Sequence, residues 1–563
     1  MTARIGRERH IPWFLWAAGT VAAIMAALIL YPLAYVVWRE LISQAGAIPG
    51  LIATAIDDGI GGILLQTAFV VGAAVAIATV LGTAFAWLAE RTDLGMRGLM
   101  RFLPVIPLFV PAIAGAIGWV LLGSSRTGFL NRWAADALAL VGITGVGPII
   151  NINSYSGLIF VFVIYLIPNV FLTTSSHLRN LDPALEEAAR MSGAGLFQTL
   201  RRVTVPSIAP AALTGMLLAL IMGLSLYSLP VVIGTPARIE LLSVHIVDLM
   251  ISTYPPQTLM ALLLCVILVV AISAATWLQW RIVTRGNFAT IVGKGGSGAE
   301  VRLGIYKWPA RLVFVLYLTM STVLPFVALL IASLQPFWTP AIDFANLSFS
   351  HYNEIFIESR KARSAIFNSL ILGIVGGAAC MAIACMIAYY IDRKRSSVSA
   401  NVMEVLTKLP GAVSHIVVGI ALIVAFSGAP FYLFGTLTLL FLAYLVLYIP
   451  QATLSATAAR HQIGPQLTEA ALMAGASPGR AYLRIAFPLM LPALVAGWTL
   501  LFVLITGDIT ASAMLSGNRN PVVGFVILDI WAGGSFPQLA ALGTVMTAVS
   551  SLVVLVTMRL TRS

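Results

Sequence analysis

Pro183-Ala-Leu-Glu-Glu-Ala-Ala-Arg-Met-Ser-Gly193 recurs 282 positions later as Pro465-Gln-Leu-Thr-Glu-Ala-Ala-Leu-Met-Ala-Gly475. Both copies run on without a gap to Pro206 and Pro488, then to Gly215 and Gly497. Thirteen of these 33 columns are identical: Pro183, Leu185, Glu187, Ala188, Ala189, Met191, Gly193, Ala194, Arg202, Pro206, Pro210, Ala211 and Gly215 match their partners. An offset near half of 563 residues marks the chain as a duplicated unit. The repeat predicts a helix–glycine–helix hook. Asp182-Pro183 supplies an N-cap acid and a proline at the first helical position, and Gly464-Pro465 does the same less strongly. Leu185, Ala188, Ala189 and Met191 form a small apolar face from which Glu187 projects, and Gly193 and Gly475 break the helix. A second short helix carries Arg201 and Arg202, or Arg484, and is expected to end at Pro206 and Pro488 where the chain enters the membrane.

The surroundings of the repeat are apolar. Sixty per cent of the residues are hydrophobic and 10% charged, and the mean hydropathy is +0.97, far from soluble composition. About 20 apolar residues suffice to cross a bilayer, and counting such runs gives twelve spans, near 13–35, 62–89, 103–123, 155–176, 207–233, 258–280, 312–333, 366–391, 409–427, 431–452, 489–506 and 536–558. The runs are continuous, not alternating, which favours helices over a barrel. The expected fold is an all-α polytopic membrane protein of about 12 transmembrane helices in two homologous six-helix halves. The apolar run Ile11 to Val37 is too long for a signal peptide and reads as a retained first span.

A net charge of +12 invites a nucleic-acid reading, but its distribution excludes one. With a cytosolic N-terminus, 25 of the 33 Lys and Arg fall on cytosolic segments and eight outside. This positive-inside bias places both termini in the cytosol of a cell whose inner or plasma membrane holds the chain. Cys265, Cys380 and Cys385 lie in or near apolar runs and read as small packing residues, not as a disulfide or metal site.

The halves read as 1–290 and 307–563, joined by a glycine-rich cytosolic linker at 291–306. Gly293-Lys-Gly-Gly-Ser297 lacks the spacing of a phosphate loop. Leu103-Pro104 matches Leu409-Pro410 at an offset of 306, whereas Pro168 matches Pro450 at 282, so the first half carries about 24 extra residues between Ser124 and Asn153, on the outer side.

The pattern Glu187-Ala188-Ala189-x3-Gly193-x9-Val203-Thr-Val-Pro206, with Glu469-Ala470-Ala471-x3-Gly475-x9-Ile485-Ala-Phe-Pro488, resembles the EAA loop of the integral permeases of binding-protein-dependent ABC importers. Val203 and Val205 depart mildly from the usual Ile and Leu. The resemblance implies a type I importer permease fold and a transporter subunit, not an enzyme. It implies two copies of an ABC ATPase on the cytosolic side, one per loop, which use the ATP and magnesium while this chain binds no cofactor. It also implies an extracytoplasmic solute-binding protein. Glu187, Ala188, Ala189, Gly193, Pro206, Glu469, Ala470, Ala471, Gly475 and Pro488 would form the coupling contacts. Fused double permeases of this kind look most like the ferric-iron group; thiamine, 2-aminoethylphosphonate and polyamine permeases are the alternatives.

Polar residues at span ends are pathway candidates because they are costly in lipid. Tyr227, Ser228, Asp508 and Thr510 are the four singled out, and Asp508 with Glu240, Asp248 and Asp529 suggests an acidic outer mouth. The six histidines form no ligand cluster. A twelve-helix secondary transporter would need charged pairs within its spans, and a membrane enzyme would need clustered His, Asp or Glu; neither pattern stands out, and neither explains twin hooks.

Overall fold

The computed structural model describes residues 13–145, 147–182, 184–285, 301–394, 397–463 and 465–562. Arg4, Arg7, Arg9, Pro183, Gly464 and linker residues 286–300 lie outside that set. The described chain is helical with two isolated bridges and no sheet. Helix is what the composition demands, because in lipid each backbone N–H and C=O must find its partner within the segment. Hydroxyls inside the spans obey the same rule: Thr544 donates to the carbonyl of Ala540 (2.7 Å) and Thr547 to that of Gly543 (2.8 Å).

Among the described residues ten helices are long and apolar enough to cross a membrane, and three bent pairs could each supply another span. Two of the twelve expected spans are such pairs. Residues 103–123 fall on Arg97–Phe109 and Ala112–Gly123, which meet at 90°, and 409–427 on Val398–Gly411 and His415–Phe426, which meet at 102°. The third pair, Pro230–Ala237 with Leu242–Ile251, bends by 94° where an outer loop was expected. Hydropathy sees the apolar run but not the proline-rich break within it: Pro107 and Pro111 flank the first bend and Pro410 precedes the second.

The halves exchange their first spans. Trp13–Val36 packs against Gly377–Arg393 and His415–Phe426 of the second half, and Leu324–Leu334 packs against Ala112–Gly123 of the first. The second contact is close: a Cβ on Gly118 would stand 2.6 Å from the carbonyl oxygen of Pro325. The repeated Gly215 and Gly497 work alike within each half. A Cβ there would lie 2.8 Å from Cα of Val170 and 2.8 Å from Cβ of Ser455, so glycine lets the first pair of helices meet at the backbone and the second pack directly on a serine side chain.

The last residues of the joint dock on the first half. Val301 donates to the carbonyl of Arg91 (2.9 Å) and accepts from Asp93 N–H (3.1 Å). The Asp93 carboxylate in turn accepts Leu303 N–H (2.9 Å) with Lys307 at 3.7 Å, and that N–H, then the lysine, hold its carboxyl below the usual carboxylate range. The extra segment after Ser124 is ordered too. It carries the helix Phe129–Leu140, and the Asn131 side chain bonds Ser124 O, Ile150 O and the N–H groups of Ile149 and Ile150.

Candidate functional site: twin hooks and a central cavity

Both hooks fold to the same backbone plan. Ala184–Met191 and Pro465–Met473 are the first helices, and Gly193 (φ 86°) and Gly475 (φ 85°) turn the chain left-handed after them. Gly193 N–H reaches the carbonyl of Arg190 (2.9 Å) and Ala194 N–H that of Ala189 (3.1 Å); Gly475 N–H reaches Leu472 (3.0 Å) and Ala476 N–H reaches Ala471 (3.0 Å). These are Schellman closures, and they explain why glycine stands at that column in both copies.

Pro206 and Pro488 do not end the second short helix. Leu196–Ser225 and Pro478–Thr506 run on as single helices through a wide turn at Leu200–Thr204 and Tyr482–Ala486. There the N–H of Val205 bonds Leu200 O and that of Phe487 bonds Tyr482 O, five residues back. The wider turn makes room for the proline ring that an α-turn would exclude.

The outer faces of the hooks are apolar at their tips. Met191 and Met473 are 89% and 90% exposed, and Glu187, Ala188, Glu469 and Ala470 are exposed beside them. Ala471 is buried and Ala189 half-buried. The acid that ties the first hook down is Glu186, which the sequence reading passed over. It is buried, accepts the Thr204 hydroxyl at 2.8 Å and lies 3.7 Å from Arg91 Nε. Beneath it Glu90 takes both nitrogens of a fork from Arg101 (3.0 and 2.6 Å) and the Ser175 hydroxyl (2.6 Å). The second hook has Thr468 in the column of Glu186. It leans instead on an aromatic group, Phe14, Tyr389 and Tyr482, with ring centroids 4.7 to 5.7 Å apart.

A cavity of about 200 Å³ lies between the halves. Four helix breaks converge on it: Val110-Pro111, Val413, Leu226 to Ser228, and Gly507 to Ile509. Irregular backbone at membrane depth is tolerated where it lines such a space. The lining is quasi-symmetric at the 282-residue offset, with Asn169 facing Gln451 in register, Ser225 with Gly507, Ser228 with Thr510, and Leu226 with Asp508. Three of the four pathway candidates, Ser228, Asp508 and Thr510, therefore line the same cavity. Tyr227 is buried and is not among the lining residues.

Asp508 does not belong to an outer acidic mouth. It is buried: its carboxylate accepts the Tyr448 hydroxyl (3.3 Å) and the N–H groups of Ala511 (3.0 Å) and Ser512 (3.2 Å). The outer acids find partners of their own, Asp529 with Lys361 (2.9 Å) and Glu240 with His245 (2.6 Å). The sequence reading missed Asn169 and Gln451. Both follow the matched Pro168 and Pro450, so a polar residue in the same column of both halves was the available signal.

The ferric transport system permease protein FbpB of Actinobacillus pleuropneumoniae is 22% identical over 499 residues, covering 88% of this chain and 70% of that protein. A putative FbpB of Haemophilus influenzae is 23% identical over 448 residues, covering 78% and 68%. The spermidine/putrescine permease PotB of Escherichia coli is 30% identical over 148 residues, 26% of this chain and 52% of its own. Among solved structures, a bacterial ABC transporter that imports the acidic polysaccharide alginate aligns with a TM-score of 0.38 at 18% identity, over 45% of this chain and 94% of that one. The model of the binding-protein-dependent transport system inner membrane component family matches residues 74–284 and 380–563, and the chain belongs to that family as a multi-pass membrane permease of an ABC importer.

Proposed function

We propose that this permease carries ferric iron, handed over by an external solute-binding protein, and that two ATPase subunits drive it, one docked on each hook. On this reading 1–290 and 307–563 are the two permease units, 291–306 joins them, and both termini and both hooks face the cytosol. The observation that carries the coupling role is the repetition of one hook with the same left-handed glycine, the same two closing hydrogen bonds and an exposed methionine at the same column. A rigid apolar tip beside an acid suits a cleft on a partner that pushes and pulls. Iron as the solute is supported by the two FbpB relatives, which cover most of this chain. A polyamine is the second reading, supported by PotB over a shorter stretch.

The test is reconstitution of the chain with its ATPase in proteoliposomes, with labelled ferric iron or putrescine supplied on the binding protein. ATP-dependent uptake of iron and not of putrescine is the expected result; the reverse overturns iron. Met191→Glu with Met473→Glu should abolish co-purification of the ATPase, and normal co-purification would overturn the docking role.

A further inference from the structure

We propose that the central cavity is a binding station for a positively charged group and that Asp508 is its counter-charge. The inference rests on the import reading but not on iron. An acid at membrane depth is expensive unless something compensates it. The Asp508 carboxylate accepts from one phenol and two backbone N–H groups, neutral donors that hold it in place without cancelling its charge. Among the described lining residues there is no Lys or Arg, and Asp508 is the only acid.

A structural role alone does not call for an acid here. Asp508 closes the first turn of the short helix Thr510–Leu515, a task that Asn or Ser performs as well. The first half has Leu226 in the same column, at the same kind of break, with no carboxylate at all. The acid is thus the element that makes a nearly symmetric cavity asymmetric in charge.

The rest of the lining fits a polar cation. Tyr165, which is 9% exposed, has no hydrogen-bond partner for its hydroxyl, and the Gln451 amide oxygen has none either, so both oxygens can accept from a cation. Tyr448, whose hydroxyl reaches the acid, stands edge to face with the His415 ring, centroids 5.7 Å apart, so two aromatic side chains line the cavity together with Asp508. No group of three or more His, Cys, Asp or Glu able to hold a metal occurs among the described residues. The station therefore reads the charge of a passing solute and does not chelate it.

The test uses the purified full-length chain in detergent with two probes. Putrescine, followed by calorimetry, stands for an organic ammonium, and terbium(III), followed by tyrosine-sensitised luminescence, stands for a hard metal cation. The wild type should bind at least one of them, and D508N, whose amide oxygen still accepts from Ala511 and Ser512, should bind it ~30-fold more weakly or worse. Binding of neither probe by the wild type, or equal binding by D508N, overturns the proposal. Should D508N fail to fold, L226D decides: a second carboxylate across the cavity tightens cation binding if the station reads charge, and unchanged or weaker binding overturns it. Failure of the import reading looks different, since cation binding would then persist in a chain that supports no ATP-driven uptake.

Discussion

The Thr204 hydroxyl donates to Glu186 across 2.8 Å, joining the first helix of the first hook to the base of the long helix that follows it. The acid beside the repeated Glu187 is thus a fastening inside the protein, while Glu187 itself faces outward. Adjacent residues on a helix point about a quarter-turn and more apart, so one can be buried and the next exposed. The two acids should separate cleanly in experiment.

Glu186→Ala strands Thr204 and leaves Arg91 without its acid, which should cost about 2 kcal/mol. It should appear as a lower melting temperature and as faster hydrogen exchange across 184–204. Glu187→Ala should change both readouts less and instead weaken the coupling of ATP hydrolysis to transport. Equal destabilisation by the two variants would contradict this division of labour.

Gly193 and Gly475 have open space where a Cβ would go, so substitution there meets backbone strain and no collision. A β-branched residue in a left-handed conformation costs about 1–2 kcal/mol, and Asn much less. Gly193→Asn with Gly475→Asn should keep near-normal coupling in a proteoliposome assay, whereas the paired Val variants should hydrolyse ATP without moving solute. Equal activity of the Asn and Val pairs would show that the left-handed turn is dispensable.

At the crossing of the halves, Gly118→Ala would press a methyl group to 2.6 Å from the Pro325 carbonyl oxygen. Backbone cannot yield as a side-chain tip can, and overpacking of this kind costs about 1–3 kcal/mol. The melting temperature should fall, while Gly72→Ala, where nothing lies within 4 Å, should leave it unchanged.

The docking of Val301 on the first half has a defined pH response. Asp93 has its carboxyl lowered, first by the Leu303 N–H and then by Lys307, so its contribution is complete above the ordinary carboxylate pKa of about 3.9. It is lost only as pH falls further, through the lowered value of the folded state. Protection of the Val301 amide, read by hydrogen exchange and corrected for intrinsic rate, should therefore hold through mild acid and collapse in strong acid. In Asp93→Asn it should be weak at every pH.

Much of this was legible in residue order. The duplication, the two hooks, their closing glycines and most of the spans depend on local composition and on contacts a few residues apart, and the positions of Pro183, Gly193, Pro465 and Gly475 were enough to frame them. Ser228, Asp508 and Thr510 were also visible, as polar residues in apolar surroundings. What pairwise reading of the halves could not reach was everything set by packing between distant segments. The exchange of first spans depends on Gly118 meeting Pro325 and on Phe14 meeting Tyr482, contacts across more than 200 and 400 residues of chain. The burial of Glu186 in place of Glu187 follows from where Arg91 and Thr204 sit. The cavity exists because four breaks, each unremarkable alone, end at one point between the halves. Sequence determined the hooks because a helix and its cap are decided within a turn or two; only the tertiary structure decided what lies between the halves, because steric fit and the desolvation of a charge belong to neighbours in space.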